Sequence, residues 1–149
     1  MEIDKKQLIK DKYVLKKIEE NVDNVMGTSI LNVYNKSNVC ENYLEVLNKI
    51  YKIEFPVLIT KEKGCKNYEY VEYLYQHLNL PINSYNWLIP YFNESNWWIE
   101  FKIENISIFL NAYYPNNISI NLTAIDTKNK LLFDIENGEF NFEYRIMCL

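Results

Sequence analysis

The residues of this chain that could act as nucleophiles, bases or metal ligands are few and widely separated. His77 is the single histidine, and the three cysteines, Cys40, Cys65 and Cys148, lie far apart in the sequence. A zinc site usually takes several histidine or cysteine ligands at short, regular spacing, and no such spacing occurs here. Nothing beside the cysteines marks any of them as a reactive thiol. We therefore expect packed or surface side chains at these positions, with no metal and no catalytic residue.

Cofactor and nucleotide motifs are also missing. The three glycines, Gly27, Gly64 and Gly138, are isolated, so no glycine-rich loop can bring the backbone close to a phosphate. No Gly-x-Ser-x-Gly sequence occurs either. A single arginine in a chain of net charge −4 cannot build a phosphate-binding patch. We expect no cofactor and no direct binding of nucleic acid.

Pairs of carboxylates recur in the last third of the chain. The pairs are Glu100 with Glu104, Asp134 with Glu136, and Glu139 with Glu143. Glycoside hydrolysis uses such a pair inside an enclosed cleft, where one carboxyl group stays protonated. On an open sheet the same residues are typical of solvated charges. An enzyme on an unfamiliar scaffold, using His77 or one of these pairs, is therefore a less favoured function.

The charge is distributed unevenly between the two parts of the chain. Residues 1–92 carry 12 acidic residues and 12 lysines, whereas residues 93–149 carry 8 acidic residues against 4 basic ones. The whole net charge of −4 therefore lies after residue 92. The chain opens with closely spaced charges and has no long apolar run, which indicates neither a secretory signal nor a membrane span. With an odd number of widely spaced cysteines, these features predict a cytoplasmic protein with reduced thiols.

The first part of the chain reads mainly as helix. Apolar residues at helical spacing predict amphipathic helices over Ile3–Val25, Glu41–Lys52 and Asn67–Leu78. Ser84–Phe92 is interpreted as a short helix limited by Pro90. Ser29–Tyr34 fits either a short strand or a helical turn. A short edge strand is expected at 57–60, after Pro56.

The last third alternates between apolar and polar residues in five segments. The segments are 97–104, 106–113, 118–124, 131–136 and 139–146, and Asn137-Gly138 is a two-residue hairpin signal. Together they predict an α+β fold in which N-terminal helices pack on one face of a C-terminal five-stranded antiparallel meander sheet, as two layers. We expect a single domain over residues 1–149, with a mainly helical layer at 1–92 and the sheet layer at 93–149.

The alternation assigns an unusual set of residues to the face of the sheet turned away from the helices. Six acids fall on it against three basic residues, which makes this face net −3, together with four large apolar residues: Trp98, Phe109, Tyr113 and Leu132. Aromatic anchors among charges are typical of protein-binding hot spots, and the acids would steer a basic partner. The expected partner-binding residues are Trp98 as the anchor and four acids as its charge complement: Glu100, Asp134, Glu136 and Glu143. The second-choice surface is the outer side of the third predicted helix, with Glu69, Glu72 and Tyr73. A further segment, such as the chain before Pro56, or a dimer mate could instead cover this face.

These features predict a small acidic protein that inhibits a basic partner by direct one-to-one binding. In size and composition the chain is similar to bacterial immunity proteins, and the similarity extends over the whole chain without involving a motif. It implies an immunity or antitoxin role against a basic, nuclease-like toxin domain. The same features also fit a structural or self-assembling interaction subunit, and a phage-type anti-defence inhibitor. The oligomeric state is not set by the sequence.

Overall fold

A computed structural model of the chain describes residues 5–23, 27–35, 55–90, 97–113 and 122–149. The helix predicted over Glu41–Lys52 and Cys40 lie outside these residues. The described helices are α1 (Lys5–Asp23), α2 (Asn67–His77) and α3 (Ile106–Tyr113). The described strands are β1 (Thr28–Asn35), β2 (Ile59–Glu62), β3 (Tyr85–Pro90), β4 (Trp97–Ile103), β5 (Leu122–Asp126), β6 (Leu131–Asn137) and β7 (Asn141–Cys148).

The strands form one antiparallel sheet in the order β1-β4-β3-β5-β6-β7-β2. The α+β class predicted from the sequence is therefore confirmed. The five-stranded meander is wrong, because the described residues form a sheet of seven strands in which only β5, β6 and β7 make a run of three consecutive strands, while β3 pairs with β4 and β1 and β2 lie at opposite edges. Three strands come from residues before 93 and one helix from residues after 92, so the boundary between a helical layer and a sheet layer does not hold.

The segment predicted as a helix over Ser84–Phe92 is the central strand β3. The side chains of Tyr85, Trp87 and Ile89, at every second position, point toward the helices and are all buried. Leu88 points to the opposite face and is buried as well. A strand covered on both faces is apolar almost continuously, so it loses the alternation that would have identified it. Pro90 lies at the end of the strand, where a missing N–H is tolerated.

The segment predicted as a strand over 106–113 is helix α3. Ile106, Phe109 and Leu110 are buried together, which is the i, i+3, i+4 spacing of a helix face. The carboxamide oxygen of Asn105 accepts a hydrogen bond from the Ile108 N–H at 3.1 Å, so Asn105 acts as the N-cap. Over this short stretch the apolar residues fit both a strand and a helix. The N-cap at Asn105 is the sequence feature that favours the helix.

The hairpin predicted between the last two strands is confirmed, but its turn differs. Asn137 pairs with Phe142, and neither Asn137 nor Gly138 has a positive φ. The turn is therefore not the two-residue type that this dipeptide suggests. The N–H of Gly138 donates to the Asn141 carbonyl at 3.1 Å, and a Cβ on Gly138 would lie 2.7 Å from that oxygen. Glycine is required here because the backbone approaches itself so closely.

The main core lies between the three described helices and one face of the sheet. Its helical members are Val14 and Ile18 from α1, Tyr70, Val71 and Leu74 from α2, and Ile106, Phe109 and Leu110 from α3. The sheet contributes a row of aromatic side chains that includes Trp87, Phe101, Phe133, Phe142 and Tyr144. The described helices thus lie on one face of the antiparallel sheet, but their placement differs from the prediction, because α3 comes from the part of the chain that was expected to form only strands.

One buried carboxylate is held inside this core by hydrogen bonds. Asp126 is 1 % exposed and accepts from the Tyr75 hydroxyl at 2.5 Å and from the Asn129 backbone N–H at 2.8 Å. The Trp87 indole N–H in turn donates to the Tyr75 hydroxyl oxygen at 2.9 Å. The network satisfies a charge that would be costly to bury alone, and it fixes the turn between β5 and β6.

Candidate functional site

The face of the sheet turned away from the helices is partly apolar and covered. Trp98 is 7 % exposed and belongs to a second buried cluster with Leu88, Ile125 and Leu132. Tyr34, Phe55 and Met147 pack against this cluster. The expectation that Trp98 and Leu132 are exposed on a wet face is therefore wrong. Phe55, directly before Pro56, is one of the residues that cover them, in agreement with the expectation that the chain before Pro56 could cover this face.

Phe109, also expected on the wet face, lies in α3 and is fully buried in the main core. The polar part of the outer face is instead concentrated on β6 and β7. There the three expected acids Asp134, Glu136 and Glu143 surround Arg145, the single arginine of the chain. We call these four residues the arginine cluster. It brings together three of the four acids predicted from the sequence.

The strand register explains the arginine cluster. Asp134 lies opposite Arg145, and Glu136 lies opposite Glu143. The two pairs are two residues apart along β6 and β7, so all four side chains point to the same face of the sheet. Arg145 Nη1 lies 2.8 Å from Glu136 Oε2 and 3.8 Å from Asp134 Oδ2. Its Nη2 lies 3.3 Å from Glu143 Oε2, and its Nε donates to the Phe55 carbonyl oxygen at 3.4 Å.

Burial within the cluster is graded. The side chains of Arg145 and Asp134 are 13 % and 12 % exposed, whereas those of Glu136 and Glu143 are 53 % and 38 % exposed. Burial raises the pKa of Asp134, and the neighbouring Glu136 charge raises it further. The hydrogen bond from the Thr123 hydroxyl, at 2.7 Å, and the charge of Arg145 act in the opposite direction. The inner pair is therefore structural, and the outer two carboxylates reach solvent.

Three carboxylates around one guanidinium leave the arginine cluster with a net charge of −2. Each outer carboxylate uses one oxygen on Arg145 and presents its other side to solvent. Such groups can accept hydrogen bonds from lysine or arginine side chains of a partner. The chemistry available to this cluster is therefore recognition of cations.

An exposed aromatic residue missed by the sequence lies at the tip of the same hairpin. Phe140 is 79 % exposed, the highest value among the exposed large hydrophobic side chains of the described residues. Alternation along the last segment placed it inward with Phe142, but the turn interrupts that alternation. The signal was the surrounding sequence, in which Gly138, Glu139 and Asn141 are all turn-forming or polar. Glu139 beside it is exposed, and its carbonyl oxygen accepts from the Lys63 ammonium at 3.1 Å.

Glu100, the remaining predicted acid, lies away from the arginine cluster. It is half-buried on β4, where its carboxylate accepts a hydrogen bond from the Asn32 carboxamide at 2.7 Å. Strands β3 and β5 separate β4 from β6, so Glu100 is about 14 Å across the sheet from Asp134, at roughly 4.8 Å per strand. Glu100 and the three acids of the arginine cluster do not form one compact charge patch.

The second-choice surface lies on the other layer, on α2. Glu69 accepts from the Lys66 backbone N–H at 3.1 Å and closes the N-terminal turn of the helix. The Tyr73 hydroxyl donates to the Thr60 carbonyl at 3.3 Å, and the Lys61 ammonium lies 4.4 Å from the Tyr73 ring centroid. Glu72 is half-buried, and its charge contributes to the raised pKa of Tyr85, after burial of that hydroxyl. These side chains hold α2 in place and are not an open patch.

The other chemically active residues do not converge. His77 is exposed at the last position of α2, and Cys65 and Cys148 are free thiols. In the described ranges no group of three or more histidine, cysteine or acidic residues is arranged to hold a metal ion. None of the described helices is long and apolar enough to cross a membrane.

Comparison of the chain with protein-family profiles, with curated proteins and with solved structures found no match.

Proposed function

We propose that this chain is a small cytoplasmic inhibitor that binds a basic protein one-to-one, and that the partner is a toxin domain neutralised in the manner of an immunity protein. The proposed contact is the outer end of the β6–β7 hairpin, formed by Glu136, Glu139, Phe140 and Glu143. We call it the hairpin epitope. The observation that carries the proposal is the combination of a largely exposed phenylalanine with carboxylates that keep a net negative charge.

Electrostatics support a basic partner. Clustering three carboxylates on adjacent strand positions destabilises the sheet, and the one arginine compensates only part of the charge. Neutral residues at Glu136 and Glu143 would avoid this cost, so their charge is better explained by a role in recognition. A partner rich in lysine and arginine would be steered toward this end of the molecule and would associate faster at low salt.

Phe140 supplies the apolar part of the contact. A phenylalanine that is 79 % exposed gains free energy when a partner pocket covers it, and aromatic residues dominate the binding energy of many interfaces. Its position at a turn lets it enter a concave site such as the substrate channel of a nuclease. This residue replaces Trp98 as the proposed anchor, because Trp98 is buried.

The proposal is tested by capture of the tagged chain together with the products of its neighbouring genes, followed by calorimetric titration of the purified partner. We expect a basic partner at a one-to-one ratio, with affinity that falls as salt concentration rises. Phe140→Ala should weaken binding by about 30-fold, the effect of losing a hot-spot anchor of about 2 kcal/mol. Glu136→Gln with Glu143→Gln should slow association.

The matched control is Tyr13→Ala, which removes an aromatic side chain that is 66 % exposed on α1. It should bind like the unmodified chain. A partner whose affinity is the same for the Phe140 and Tyr13 variants would exclude the hairpin epitope. If the captured partner is instead a component of a defence system against phage, bound through the same residues, the chain is an anti-defence inhibitor.

A second function, self-assembly, is favoured by the exposed side of α1. Ile9 and Tyr13 are 70 % and 66 % exposed on a helix that carries six lysines. In a second copy this basic, partly apolar surface would complement the acidic hairpin epitope head to tail. Sedimentation velocity distinguishes the two functions, because self-assembly predicts an oligomer whose fraction rises with protein concentration. Lys10→Glu should dissociate this oligomer, and Lys128→Glu should leave it intact.

A further inference from the structure

A cleft separates the N-terminal end of α2 from α3. Its volume is about 510 Å³, which falls within the range of roughly 300–1,000 Å³ typical of small-molecule sites. Tyr70 and Phe142 form its floor, Ser107 and Asn111 form the α3 wall, and Lys63 and Lys66 lie at its rim. We call it the α2–α3 cleft. No residue of the hairpin epitope lines it, although the Lys63 ammonium at its rim donates to the carbonyl oxygen of Glu139.

The charged groups that line the cleft all have the same sign. Among the described residues that line it, Lys63 and Lys66 are the only ones charged at neutral pH, although the chain as a whole has a net charge of −4. Lys63 is held at the rim because its ammonium donates to the Glu139 carbonyl at 3.1 Å. The nearby Glu69 carboxylate turns back to accept from the Lys66 backbone N–H and does not line the cleft. The local potential therefore favours an anion.

The floor of the cleft is aromatic and fixed. The rings of Tyr70 and Phe142 lie 4.0 Å apart between centroids at an angle of 33°, and both residues are buried. The Tyr70 carbonyl accepts from the Tyr144 hydroxyl at 2.8 Å, and the Tyr70 hydroxyl accepts from the Cys65 backbone N–H at 3.1 Å. The floor is therefore rigid, and because Tyr70 and Phe142 are only 1 % and 2 % exposed, the partly exposed Tyr68 is the aromatic lining residue that a bound ring can reach.

We propose that the α2–α3 cleft binds a small organic anion that carries an apolar ring. The ring packs against Tyr68, and the acid group pairs with Lys63 and Lys66 at the rim. Ser107 and Asn111 provide hydrogen bonds at the opposite wall. Charge-assisted hydrogen bonds to a carboxylate, sulfonate or phosphate group set the orientation. This site does not depend on the proposed inhibitor function.

The test uses 8-anilinonaphthalene-1-sulfonate, an anion with apolar rings, and its uncharged relative N-phenyl-1-naphthylamine. We expect saturable fluorescence enhancement at one site for the sulfonate and much weaker binding of the uncharged compound. Lys63→Glu with Lys66→Glu should weaken sulfonate binding by about tenfold, because attraction becomes repulsion at a partly exposed site. Lys128→Glu, in the exposed turn between β5 and β6, is the control for net charge and should bind normally.

Two variants test the location. Ser107→Trp and Asn111→Phe each place a large side chain in the cleft from the α3 wall and should abolish binding. Circular dichroism and urea unfolding verify that each variant is folded, since the dye also binds partly unfolded proteins. Dye binding that does not saturate, equal binding of the charged and uncharged compounds, or equal effects of the rim variant and Lys128→Glu would each overturn the proposal. So would unchanged binding in a folded variant with the cleft filled.

Discussion

Glu136 and Glu143 lie directly opposite each other on β6 and β7, and one arginine contacts both carboxylates. Like charges at directly opposed positions destabilise a sheet, so the guanidinium of Arg145 is what allows this pairing. The same guanidinium also approaches the nearly buried Asp134 and the Phe55 carbonyl. The Arg145 side chain thus holds Glu136 and Glu143 together and attaches the segment before β2 to strand β7.

Replacing Arg145 by methionine should destabilise the protein by about 3 kcal/mol, because a carboxylate that is nearly buried loses its counter-charge. Arg145→Lys keeps the charge but loses the forked geometry, so its cost should be smaller. Urea unfolding of the two variants measures both values. Equal stability of Arg145→Met and the unmodified chain would mean that the arginine cluster has no structural role.

The raised pKa of Asp134 gives a pH dependence with a defined sign. Burial favours the protonated form in the folded state, so the folded pKa lies above the ordinary value of 3.8. The folded state therefore binds more protons than the unfolded state just above pH 3.8, and the contribution of Asp134 to stability falls as pH rises through its folded pKa. Asp134→Asn removes this titration.

The free energy of unfolding of the unmodified chain minus that of Asp134→Asn should therefore decrease from acid pH toward neutrality. Unfolding curves of both proteins at a series of pH values give this difference. A difference that rises with pH would show that the arginine and the Thr123 hydroxyl outweigh burial. The pKa of Asp134 would then be lowered in the folded state.

Truncation of Trp98 should mainly lower the stability of the fold, whereas truncation of Phe140 should mainly lower the affinity for a partner. Trp98→Ala removes a buried side chain from the second cluster and should cost about 3–5 kcal/mol of folding free energy. Phe140→Ala removes an exposed side chain and should change stability by no more than about 0.5 kcal/mol. Thermal or urea unfolding separates the two without any knowledge of the partner. Little destabilisation by Trp98→Ala would restore Trp98 as a candidate surface anchor.

The sequence predicted the elements in which an alternating or helical pattern of apolar residues extends over most of the element. Helices α1 and α2 and strands β4, β6 and β7 were identified with bounds close to those observed. The errors occur where burial removes the pattern or where two periods coincide. Strand β3 is apolar on both faces, and the eight residues of α3 fit either period until the Asn105 cap is recognised. Strand order also depends on long-range pairing that no local pattern encodes.

The sequence predicted only part of the candidate site, because here too a local pattern does not show contacts between distant segments. Alternation correctly put Asp134, Glu136, Glu143 and Arg145 on one face of adjacent strands. It could not show that the apolar residues of that face are covered by Phe55 and Tyr34, because these residues come from distant segments. It also assigned Phe140 inward, because the pattern does not show that β7 begins at Asn141 and that Phe140 lies in the turn before it.

Buried tyrosines give the last prediction, which concerns alkaline pH. Burial raises the pKa of Tyr75, Tyr85 and Tyr144 well above the ordinary value of 10.0, and the Asp126 carboxylate raises that of Tyr75 further. A raised folded pKa means that their contribution to stability is complete below pH 10 and is lost as pH rises above it. Ultraviolet titration of the 13 tyrosines should therefore show at least three that ionise only as the protein unfolds. Tyr144→Phe should reduce that late fraction and flatten the loss of stability above pH 10. Ionisation of all tyrosines in one step near pH 10, with native circular dichroism, would contradict the buried hydroxyl arrangement.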